Sequence, residues 1–107
     1  MSDGVEISIA NSTPVVDFMV RLKKIDLVRL TARDVMCLYS IISRPGMSRS
    51  DLADTLGLNA EVNVLSNIKR LTKHGYIEDR RVEQQRAVAA MLYVLPAGVE
   101  FWESIKP

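Results

Sequence analysis

The chain has 107 residues, enough for one domain with short terminal additions, and its 48% hydrophobic and 25% charged residues exclude a disordered polypeptide. With 14 Lys and Arg against 13 Asp and Glu the net charge is +1, so any grip on a polyanion must come from a local cluster of charge. Cys37 is the only cysteine, which excludes an internal disulfide, and the longest apolar run, Ala87 to Leu95, is about half of a membrane span.

The opening MSDGVEISIA lacks the basic and apolar regions of a signal peptide, so a cytoplasmic location with no membrane partner is expected. Residues 1–12 read as an N-terminal arm, in which Val5 to Ala10 alternate in the manner of a short strand. The domain proper is expected over 13–107. Thr13-Pro14 starts a first helix, with Val15, Phe18, Met19 and Leu22 as its apolar stripe and an end near Ile25 to Leu30. Thr31 with Asp34 three residues on starts a second, striped by Val35, Leu38, Tyr39 and Ile42 and stopped by Pro45-Gly46. Cys37 on this helix reads as a buried structural thiol, since no basic neighbour would lower its pKa. Ser48 with Asp51 starts a short third helix with Leu52, Ala53 and Leu56 along one face and a stop at Gly57.

Asn59 is expected to cap a fourth helix, residues 60–74, with Val64, Ile68 and Leu71 inward, Gly75 ending it and His74 serving as a C-terminal charge partner. Beyond Gly75 the local signals divide. Tyr76 to Asp79 and Ala87 to Leu95 fit a pair of strands, but VEQQRAVAAML is also rich in helix formers. Pro96 breaks what precedes it, and a last helix over 97–105 carries Phe101, Trp102 and Ile105 on its apolar side.

A short helix, a glycine turn and a longer helix make a helix-turn-helix, here over about 48–74, whose second helix would enter a DNA groove. Asn63, Ser66, Asn67 and Arg70 recur at i, i+3, i+4 and i+7, a stripe of base-reading groups expected to face outward. Lys69 and Lys73 flank it as phosphate contacts, and Arg80, Arg81 and Arg86 sit in or beside the following turn. From Lys69 to Arg86 six basic residues face three acidic ones, a weak but well-placed excess. No Gly-rich phosphate loop or Cys/His cluster accompanies the single histidine, so no catalysis, cofactor or metal is expected.

The run LTARDVMCLYSIISRPGMSRSDLADTLGLNAEVNVLSNIKRLTKHGYIEDRR resembles the winged-helix domain of bacterial regulators of the MarR type. The matching pieces are Leu30-Thr31 before the motif, the S-x-x-x-L-A-x-x-L-x-L spacing of Ser48 to Leu58, Arg70-Leu71 with Gly75-Tyr76-Ile77, and Leu95-Pro96-Ala97-Gly98 after the wing. The resemblance covers roughly residues 30 to 98. It implies an α+β winged helix-turn-helix fold, mainly helical, with residues 76–95 as an antiparallel β-hairpin wing and a third short strand around Gly46-Met47.

The expected function is a transcriptional or replication-control factor that binds double-stranded DNA. One copy with so small a charge excess would bind weakly, so a homodimer is expected, with Phe18, Leu22, Phe101, Trp102 and Ile105 at its interface. The alternative is a winged-helix module that docks on another protein without sequence-specific DNA binding, favoured by near-zero net charge and by Val62 and Leu65 on the fourth helix.

Overall fold

In the computed structural model, which describes residues 13–84 and 87–107, five α-helices surround a small sheet. They are α1 (Thr13–Leu27), α2 (Ala32–Ser43), α3 (Arg49–Thr55), α4 (Leu65–Lys73) and α5 (Pro96–Ile105), with a 3-10 turn (Glu61–Val64) leading into α4. The strands are β1 (Met47–Ser48), β2 (Ile77–Gln84) and β3 (Ala87–Val94), ordered β1-β3-β2 and antiparallel throughout. Among the described residues no helix is long and apolar enough to cross a membrane.

Two capping boxes place the helices that lead to the turn. Thr31 Oγ1 accepts from the Asp34 backbone N–H at 3.1 Å while Asp34 Oδ2 accepts from Thr31 N–H at 2.7 Å, and Ser48 and Asp51 repeat the exchange at 3.0 and 3.3 Å. Gly57 and Gly75 end α3 and α4 at φ values of +72° and +74°, a region costly for any residue with a Cβ. After Gly75 the chain turns at once into β2.

The ambiguous stretch 87–94 is a strand because it is central, pairing with β2 from Ile77↔Val94 to Gln84↔Ala87 and with β1 at Met47↔Leu92 and Ser48↔Met91. Helix propensity, a few tenths of a kcal/mol per residue, is outweighed by hydrogen bonds on both edges and by full burial of Leu92. α2 lies at the centre and packs on α3, α4, α5 and β3. The fully buried core is Leu38, Ile41, Leu52, Val64, Leu71, Ile77 and Leu92, each side chain stabilising the fold by about 2 kcal/mol.

Several expectations shift. The buried side of α2 is Asp34, Cys37, Leu38 and Ile41, one residue round from the expected stripe, so Tyr39 stands 52% exposed. Its ring lies 4.9 Å from Trp102. Cys37 is buried as expected, and burial, helped by the Asp34 carboxylate, pushes its thiol up to about 12. Asn59 caps nothing, because the 3-10 turn starts after Ala60, which makes no side-chain cap, and helix 60–74 is instead this turn followed by α4. Ile105 is 5% exposed within its own chain, and Phe101 stacks on Tyr76 at a centroid distance of 5.0 Å. In α5, therefore, the expected interface residue Ile105 is buried within its own chain, while Phe101 and Trp102 pack half-buried against the core. The arm, residues 1–12, lies outside the described residues.

Candidate nucleic-acid interface

α4 is the second helix of the helix-turn-helix, after α3 and the turn. Val64, Ile68 and Leu71 hold one side in the core, as their i, i+4, i+7 spacing requires. The side pointing away carries Ser66, Lys69 and Lys73, all exposed, and Asn63 is exposed on the preceding 3-10 turn.

Asn67 and Arg70 depart from the expected outward stripe. Asn67 is 3% exposed and its Nδ2 donates to Asp34 Oδ1 at 2.8 Å, while Arg70 Nε donates to Asp34 Oδ2 at 2.8 Å. A buried carboxylate on α2, which sequence reading assigned only to a cap, turns this edge of α4 inward. The true outward stripe is Ser66, Lys69 and Lys73, with half-buried Arg70 on its rim. Asp34 itself is pulled two ways. Burial raises its pKa, but the Thr31 backbone N–H, the Asn67 amide, the Arg70 hydrogen bond and the Arg70 charge together outweigh that and leave it below the ordinary carboxylate value.

His74 ends α4 with one ring nitrogen 2.8 Å from the Arg70 carbonyl and the other 2.7 Å from that of Val28. Carbonyls only accept, so it is a ring N–H that donates in such a contact, and the tautomer decides which carbonyl receives it. The expected charge partner at the helix C-terminus is thus also a strut to the α1–α2 connection.

Alternation along β2 separates the wing arginines. Arg81 lies on the side of Asp79, facing α4, and helps line an open groove of about 570 Å³ together with Lys69, Thr72, Lys73 and Arg49. Arg80 lies on the other side, 3.0 Å from a Glu78 carboxylate oxygen and with its guanidinium 4.4 Å from the Tyr93 ring centroid. It does not share the groove with α4. Arg86 lies outside the described residues.

Arg49 was missed by sequence reading. It opens α3, pairs with Asp79 of β2, and so ties the helix-turn-helix to the wing. Its partner lies 30 residues away, a separation that no local pattern reports. The groove therefore carries four basic side chains, Arg49, Lys69, Lys73 and Arg81, and one carboxylate, Asp79, which pairs with Arg49 and leaves an excess of three positive charges. Among the described residues no group of three or more His, Cys, Asp or Glu is placed to hold a metal.

Comparison with known proteins bears on this geometry. No curated protein matches the chain in sequence. A crystal structure of MarR is 25% identical, with a TM-score of 0.67 over 94% of this chain and 69% of that one. The transcriptional repressor CouR bound to a 23-mer DNA duplex superposes with a TM-score of 0.69 at 20% identity, covering 92% of this chain and 68% of that one. FabT of Streptococcus pneumoniae in complex with DNA gives 0.64 at 21% identity, covering 94% and 68%. The family model described as winged helix DNA-binding domain matches residues 30–91, which span the turn, α4 and most of the wing. With its basic groove between second helix and wing, the chain belongs to the winged helix DNA-binding domain family.

Proposed function

We propose that the chain is a MarR-like transcriptional regulator that works in the cytoplasm as a homodimer on duplex DNA. The observation that carries this reading is the groove between α4 and β2, where four basic residues gather on one face of a molecule whose net charge is +1. α4 enters the major groove with Asn63 and Ser66 towards base edges, while Lys69, Lys73 and Arg81 meet phosphates and Arg49, paired with Asp79, holds the wing beside them. DNA-bound CouR and FabT share this fold, which supports the same docking here.

Dimerisation rests on α1. Val15, Val16, Phe18, Met19, Val20, Leu22 and Leu27 are all at least 48% exposed, an apolar face too large for a solitary surface helix. Phe18 and Leu22 lie at the centre of the proposed interface.

The test is fluorescence anisotropy with a labelled duplex of mixed sequence across a salt series. Binding that weakens steeply with salt is expected, and Lys69→Glu with Lys73→Glu should abolish it while changing stability by less than about 0.5 kcal/mol, both side chains being exposed. No binding at low salt would overturn the reading in favour of a protein-docking module.

A further inference from the structure

Asp34 and Asp51 do the same capping work at the starts of α2 and α3, yet Asp51 stands exposed and Asp34 is completely buried. Capping alone gives no reason to bury a carboxylate, whose desolvation must be offset by several donors. What distinguishes Asp34 is that it also receives Asn67 and Arg70 from α4, each at 2.8 Å.

We propose that Asp34 is a positioning residue for DNA binding, which holds Arg70 by its Nε so that the outer guanidinium nitrogens are preset to meet a backbone phosphate. This rests on the DNA-binding reading above. The guanidinium is planar, with its five N–H groups in a rigid fork, so fixing Nε–H leaves only rotation about that one bond to aim the other four. Among the described residues no hydrogen bond uses the terminal nitrogens of Arg70, and its side chain stays 36% exposed beside a fully buried partner. On α4, Arg70 lies between buried Asn67 and the exposed Ser66 and Lys73, at the rim where the protein surface would meet the DNA backbone. Asn67 takes the other carboxylate oxygen and stops Asp34 from turning. A free surface arginine would lose rotamer freedom on reaching a phosphate, whereas this one has lost it already on folding.

The same salt series on the full chain tests this, with circular dichroism to verify that each variant is folded. Wild-type protein binds the mixed-sequence duplex with a finite slope of log affinity against log salt. Asp34→Asn and Arg70→Ala should each make that negative slope shallower by about 0.9, the loss of one phosphate contact, and the double variant should make it no shallower still. Arg70→Lys keeps the charge but loses the fork, and should fall short of wild-type affinity with Asp34 intact. This variant decides the matter if Asp34→Asn does not fold. A folded Asp34→Asn with wild-type slope, additive losses in the double variant, or wild-type affinity for Arg70→Lys each overturns the positioning role while leaving DNA binding intact. Absence of any binding by wild-type protein overturns both.

Discussion

Between α2 and α4 a carboxylate, an amide and a guanidinium meet where apolar side chains would be expected, whereas along α1 seven apolar side chains stand in water. Within the polar junction each oxygen of Asp34 has a donor from α4, and among the described residues only the Asn67 Oδ1 acceptor is left without a partner. Nothing within the described chain balances α1. The first region finds its partners inside the described chain, and the second is the face on which the proposed dimer rests.

The largest effect should come from unbalancing the junction. Asn67→Asp replaces the donor 2.8 Å from Asp34 with a second carboxylate in a buried site, and should cost about 3 kcal/mol or more in urea unfolding. A loss below about 1 kcal/mol would mean the junction is far wetter than its burial shows.

Acid should weaken the same region more gently. Asp34 has a lower pKa in the folded chain than in the unfolded one, so its stabilisation is complete above the unfolded value of about 4 and fades as pH falls from there through the folded value. Thermal unfolding followed from pH 6 downwards should show this loss begin below about pH 5, and Asp34→Asn should flatten that part of the curve. An identical acid profile in the variant would contradict the assignment.

The smallest change in the isolated chain should come from α1. Phe18→Ser removes a side chain that is 57% exposed and should alter monomer stability by no more than about 0.5 kcal/mol. In sedimentation velocity, however, it should move the population from dimer towards monomer. Sedimentation of wild-type protein as monomer at every concentration would erase the contrast between the two regions.

Much of the architecture could be read from local chemistry. The two capping boxes and the stops at Gly57 and Gly75 are short-range signals, and the structure contains each of them. Other features depend on distant partners. The stripe containing Asn67 and Arg70 has good helical spacing, but the residue that turns it inward lies 33 and 36 positions earlier. Asp34 lies on the same buried side of α2 as Cys37 and Ile41, away from exposed Tyr39. Stretch 87–94 could not be assigned locally because its strand state depends on neighbours at both edges. Lys69, Lys73 and Arg81, expected from charge and position alone, line one groove, whereas Arg49 joins them through an ion pair with Asp79 that no local pattern reports.

Gly98 brings one more consequence. A methyl group on it would lie 2.2 Å from the Tyr76 carbonyl oxygen, the same oxygen that accepts from Leu95 N–H at 2.8 Å, so α5 rests directly on the root of the wing. Tyr76 follows the last turn of α4 and carries Phe101 of α5 against its ring. With no side chain as cushion, a twist imposed on α5 reaches the base of the hairpin without slack, and the angle between helix and wing is geared to whatever holds that last helix.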